Sequence, residues 1–173
     1  NELELSLADE SKAGFNLNSK VLDALEAEIV TNKIDVVIID PFVSSHRVGE
    51  SDNTKIDAIV KSLSRLANKS NCAIELVHHV RKSNGEELTV EDARGASALT
   101  NGTRSVRVLN RMPEAQGKKW DVEDHRLYFR VDNGKANYAP PGDKATWRHL
   151  ANIGIGNGDD EMGLNEDRVG AVE

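Results

Sequence analysis

Cysteine is nearly missing from this 173-residue sequence, which holds Cys72 and no other. An internal disulfide is thereby excluded, and a lone thiol fits a reducing cytosol. Aromatic residues are scarce as well, with two Trp, two Tyr and three Phe, so a packed core must be built from aliphatic side chains. No apolar run approaches the roughly 20 residues of a bilayer-spanning helix, and no segment repeats. Also absent is any G-x-x-x-x-G-K-S/T stretch, the turn and lysine that cradle the β- and γ-phosphates of a nucleotide. A net charge of −7 argues against a surface coated in phosphate-binding groups. Local basic surface remains open, because RSVRVLNR (104–111) carries three arginines.

What is present reads as an α/β chain. In IDVVIIDPFVSSH (34–46) the unbroken run Ile34 to Ile39 predicts a strand buried on both faces, the habit of parallel sheets covered by helices. It ends on Asp40 and turns at once on Pro41. NELEL (1–5) predicts a short strand. Asn18 or Ser19 can cap a helix through about Thr31, with Leu22, Leu25 and Ile29 on one face. Asp52 or Asn53 begins a second helix to about Lys69, whose inward stripe is Ile56, Ile59, Leu63 and Leu66. CAIELVH (72–78) is the next strand, giving β-α-β-α-β and a parallel sheet with right-handed crossovers. Residues 81–93 form a polar, acidic loop. RGASALTNGTRSVRVL predicts a short helix leading into a strand that ends near Leu109, and RMPEAQGKKWDVEDH a connection. RLYFRVDNGKANYAP predicts two short strands across an Asn-Gly turn. Residues 1–150 are expected as one domain and 151–173 as a flexible tail rich in Gly and Asp.

Several residues could carry chemistry. Asp40, at the carboxyl end of a buried strand, could hold Mg²⁺ directly or through water, or accept backbone N–H bonds at the Pro41 turn. His78 and His79 point to opposite faces of a regular strand, so one faces the crevice where open α/β sheets bind ligands and the other packs. The crevice imidazole could donate to a phosphate; the alternative is two histidines satisfied at a strand end. Arg94, Arg104, Arg107, Arg111 and Arg130 are candidates for phosphate contact, with solvation or carboxylate pairing the default for Arg107 and Arg111. Glu75, inside an apolar strand, needs a partner or an exposed face. Cys72 reads as a small buried hydrophobe.

Taken in order, DVVIIDPFVSSH, ESDN, ELVHHVRK, ARGASAL followed by RSVRVL, and YFRVDNGKANYAPP resemble the RepA-like hexameric helicases of plasmids and phages, within the RecA/DnaB-like P-loop ATPases. The resemblance covers about residues 34–150 and implies a partial RecA-like core, a mostly parallel sheet flanked by helices with a C-terminal β-hairpin. It implies that Asp40 is the Walker B aspartate assisting Mg²⁺, through water, and that His79 senses the γ-phosphate, with His78 as the alternative. It implies that Arg104 is the arginine finger reaching the nucleotide of the adjacent subunit. Arg94, which heads the RGxSAL motif, Arg130, Lys135 and Tyr138 would lie near the phosphates or nucleotide. Arg81 and Lys82 are the DNA-contact candidates beside the loop that faces the central channel in related ATPases. ATP and Mg²⁺ as cofactors of the intact protein, a hexameric ring, single-stranded DNA as partner and a cytoplasmic location without membrane association follow in the same way. In relatives the Walker A loop and the glutamate that activates water precede the segment matched here. This chain is therefore expected to be the carboxyl-side portion of the core, inactive alone. A non-catalytic RecA-like assembly or recruitment module, and a recombination or repair ATPase, are the alternatives.

Overall fold

Two polar caps start the two long helices. Asn18 Oδ1 accepts from Val21 N at 3.3 Å and opens α1 (Ser19–Asn32); Asp52 Oδ1 accepts from Lys55 N at 3.2 Å and opens α2 (Asn53–Ser70). Such caps satisfy backbone donors that the first turn leaves without partners. Each helix ends on a left-handed residue, Lys33 and Asn71, whose N–H returns to Ile29 and Ala67. The inward stripe Ile56, Ile59, Leu63 and Leu66 is buried as its spacing predicts.

The computed structural model describes residues 6–12, 14–80, 87–92, 97–137, 146–158, 162 and 164–173. They fall into two compact units, 1–82 with 91–104, and 83–90 with 105–173. The division expected at 150 thus falls at 104/105.

In the first unit β1 (Ala8–Ser11) and β2 (Gly14–Leu17) pair antiparallel, a hairpin that the polar sequence ADESK does not announce. Gly14 takes φ +113°, a conformation that glycine adopts without a Cβ clash. The strand expected in NELEL lies outside the described residues. β3 (Val36–Ile39) and β4 (Ala73–Leu76) pair parallel, with Ile38 opposite Glu75 and Ile39 opposite Leu76. Among the described residues the expected parallel pairing is confined to these two strands. The core gathers Leu7, Ile29, Ile39, Phe42, Ile56 and Ile59, with Val37, Ile74 and Leu76 packed against it.

The prediction that 34–39 is buried on both faces is corrected. Val36 and Ile38 are 53% and 62% exposed and share a face with Ala73 and Glu75. The helices and core cover one side of the two-stranded pair and leave the other open. Glu75 thereby has the exposed face its charge requires. Cys72 is half-buried, its Sγ 3.2 Å from Ser70 Oγ. The unit is completed by α3 (Ser97–Gly102), whose Leu99 is buried.

In the second unit β5 (Ser105–Arg111), β6 (Tyr128–Ala136), β7 (Thr146–Gly154) and β8 (Arg168–Val172) form an antiparallel sheet in that order. Three predictions are corrected here. First, Asn133-Gly134 makes no turn, because β6 runs straight through it. Val106 pairs with Lys135 and Arg107 with Asn133, which leaves Gly134 as the extra residue of a bulge. A Cβ there would collide with the Val90 side chain, so the glycine serves close approach rather than chain reversal. The expected hairpin is instead part of this four-stranded meander. Second, the connection expected over 111–125 contains α4 (Glu114–Lys119), supported by a Lys118–Glu114 ion pair at 2.7 Å. Third, the segment expected as a tail contributes the end of β7 and all of β8, in register from Leu150 opposite Val172 to Gly154 opposite Arg168. Ladder bonds are made by backbone groups, so a Gly-, Asn- and Asp-rich composition between short apolar pairs does not preclude them.

Candidate functional site at the carboxyl edge of the parallel pair

The aliphatic residues of β3 anchor its backbone against the core, and the next residue leaves it. Beyond the strands the ladder continues for one step, Val77 N donating to Ile39 O at 3.0 Å and Phe42 N to Val77 O at 2.8 Å. These bonds hold Asp40 and His79 at the same rim. His79 Nε2 stands 3.9 Å from Asp40 Oδ1, and both side chains are exposed. His78, also beyond the end of β4, is the more enclosed of the two. Its side chain is 19% exposed against 72% for His79, and its Nδ1 is buried without a hydrogen-bond partner, 3.9 Å from Glu50 Oε1.

A third histidine, which the sequence patterns did not single out, lies close in the chain. After the Asp40–Pro41 bond a short 3₁₀ turn (Phe42–Ser45) is closed by Ser45 Oγ donating to Phe42 O at 2.7 Å. His46 follows, buried, its ring edge-on to Phe42 at 4.8 Å. Its Nδ1 accepts from Val48 N at 3.4 Å, whereas Nε2 has no hydrogen-bond partner. Burial holds this imidazole below its ordinary pKa, with the nearby Glu50 carboxylate opposing. A His four residues beyond a buried hydrophobe gives no periodic signal, so only the ending of SSH marked it.

The other expected site residues are dispersed. Arg104 is exposed in the first unit, just past α3. Arg130 and Lys135 lie on β6 of the second unit. Arg130 is engaged there: it pairs with Glu87 and with Asp132 at 2.9 Å, and its guanidinium lies 5.7 Å from the Trp147 ring centroid. Asn110 also donates to Asp132 at 2.9 Å. Burial pushes the Asp132 carboxyl up, and the hydrogen bonds from Asn110 and Arg130 more than offset it, leaving the group below its usual value. Arg81, Lys82, Arg94 and Tyr138 lie outside the described residues.

Among the described residues no three His, Cys, Asp or Glu side chains are grouped to hold a metal ion. A single exposed carboxylate at a strand end does fit Mg²⁺ held through water. That hard ion retains several waters and binds through one or two carboxylates together with substrate phosphates. Asp40 would supply that oxygen. No helix among the described residues is long and apolar enough to cross a membrane.

A sequence-family profile described as an AAA domain matches residues 4–85, just under half of the chain. No curated protein matches. Among solved structures, the chain is similar to one described as an ATPase domain, with a TM-score of 0.57 and 14% identity over 86% of this chain and 51% of that one. It is also similar to a DnaB-like replicative helicase studied for its interactions with primase, with a TM-score of 0.57 and 14% identity over 75% of this chain and 32% of that one. The chain therefore spans about half of the first and a third of the second. Its fold is similar to that of these two proteins, and the AAA-domain sequence pattern spans residues 4–85.

Proposed function

We propose that this chain is the carboxyl-side portion of the ATPase core of a RepA-like hexameric replicative helicase, a ring motor that acts on single-stranded DNA. The observation that carries it is the Asp40–His79 pair at the carboxyl edge of parallel β3 and β4, the place where open α/β folds bind ligands. Asp40 would be the Walker B carboxylate, holding Mg²⁺ through water. Bound there, the ion would neutralise charge on the phosphates of ATP. His79 would donate a hydrogen bond to the terminal phosphate and so report whether it is present. His78, packed toward Glu50, is the weaker candidate for that role. Arg104 would act on the nucleotide of a neighbouring subunit, making hydrolysis depend on ring assembly. Without a phosphate loop the chain alone would not turn over ATP. The open Val36/Ile38 face supports the same reading, because parallel strands are ordinarily covered on both sides.

The deciding experiment joins the chain to a segment bearing G-x-x-x-x-G-K-S/T, encoded upstream of residue 1, and measures DNA-stimulated ATPase. Mg²⁺-dependent turnover that falls in Asp40→Asn and Arg104→Ala is the expected result. A second reading, a non-catalytic RecA-like assembly or recruitment module, is favoured by the lack of that loop in these 173 residues. It wins if the upstream frame encodes none. A recombination or repair ATPase would be told apart by its DNA substrate.

A further inference from the structure

The antiparallel sheet of the second unit has two unlike faces. In register, Asn110, Arg130 and Trp147 line up across β5, β6 and β7 on one face. There Asn110 is buried and Asp132 holds Arg130. The next row, on the other face, is Arg111, Phe129 and Arg148. Both arginines are exposed. Arg107 and Leu109 share this face on β5, the latter 60% exposed, as do Val131 on β6 and Thr146 on β7.

The charge on this face is all of one sign. β5 and β7 contain no Asp or Glu, and the one carboxylate of β6, Asp132, is on the opposite face. In a chain of net charge −7, a face whose described strand residues carry Arg111 and Arg148 and no carboxylate is a local reversal. Adjacent strands are separated by about 4.8 Å, so Arg111 and Arg148 flank the Phe129 ring from about 10 Å apart. An aromatic on a central strand, apolar neighbours and guanidinium groups on either side are the parts of a base-stacking platform with phosphate contacts.

We infer that the β5–β6–β7 face bearing Arg111, Phe129 and Arg148 binds single-stranded nucleic acid. Phe129 stacks a base, and the arginines neutralise the phosphates to either side. The site belongs to the second unit and does not depend on the nucleotide reading of Asp40 and His79. Loss of ATP turnover and loss of strand binding are therefore separable outcomes.

The test is fluorescence anisotropy of the 173-residue chain with a labelled 20-nucleotide oligo-dT, beginning at low salt. Binding should weaken as salt rises, with a log–log slope of about −1.4, from about 0.7 per neutralised phosphate on a single strand and the two arginines Arg111 and Arg148. The Arg111→Ala/Arg148→Ala double variant should bring that slope toward zero. Phe129→Leu should weaken binding about tenfold, within the range for loss of one stacked base, while circular dichroism stays native. Arg65→Ala, an exposed arginine of α2 in the other unit, should bind as the parent does. No salt-sensitive binding by the parent chain overturns the proposal, as does an Arg65→Ala loss equal to that of the double variant. Self-association abolished by the face variants, without oligonucleotide binding, overturns it too and makes the face a protein interface.

Discussion

His79 Nε2 and Asp40 Oδ1 lie 3.9 Å apart across the ends of two parallel strands. An imidazole and a carboxylate from separate segments are thereby presented to one point on the rim. On the proposed function, Asp40→Asn in a protein extended through a phosphate loop should lower Mg²⁺-dependent ATP turnover about a hundredfold to a thousandfold, the size of effect seen when one preorganised charge-stabilising group is removed. His79→Ala should lower turnover while leaving nucleotide affinity close to that of the parent. Steady-state kinetics with separate binding measurements check both.

Acid should destabilise the first unit through His46. Its folded pKa is lowered by burial, so the unfolded chain binds a proton more readily than the folded one. The stability contributed by the neutral buried ring is therefore complete above the ordinary value near 6.5 and is lost as pH falls below it. His46→Leu, which cannot protonate, should flatten stability between about pH 7 and 5 while lowering it at neutral pH, because Val48 N loses its acceptor. Urea denaturation across that range measures the slope.

Asn110 substitutes for a strand neighbour. Its amide accepts from Leu88 N at 2.8 Å and donates to Leu88 O at 2.8 Å, and it also reaches Asp132. Asn110→Leu should cost about 1–3 kcal/mol, the penalty for stranding buried polar groups. It should also raise hydrogen exchange at 87–90 before the rest of the second unit. Amide exchange read by mass spectrometry resolves the order.

Gly102 permits α3 to approach α2. A Cβ at this position would lie 2.6 Å from Val60 Cγ1, and a β-branched neighbour has little rotamer freedom with which to yield. Gly102→Ala should therefore destabilise the first unit by about 1–3 kcal/mol, the usual cost of overpacking. Adding Val60→Ala should return part of that loss, which thermal melts of the single and double variants would show.

The helices were legible because their signals are local: Asn18 and Asp52 cap, and the stripe of α2 repeats at the helical period. The nearness of Asp40 and His79 follows from their places just past the ends of two paired parallel strands, both of which the aliphatic runs announce. What the residues did not disclose depends on neighbours distant in sequence. Burial of Val36 and Ile38 requires a covering layer, which an aliphatic run implies but does not supply. Gly134 looked like a turn because its other use, proximity to Val90, is visible only in three dimensions. His46 escaped for the same reason, being defined by what encloses it.

The uncovered side of β3 and β4 has a consequence for the life of the chain in a cell. Valine and isoleucine displayed on an unprotected strand pair are what molecular chaperones and quality-control proteases recognise as unfinished folding. Any form of the protein in which this pair stays bare would therefore be held by chaperones or degraded, and closing that surface would release it from both fates.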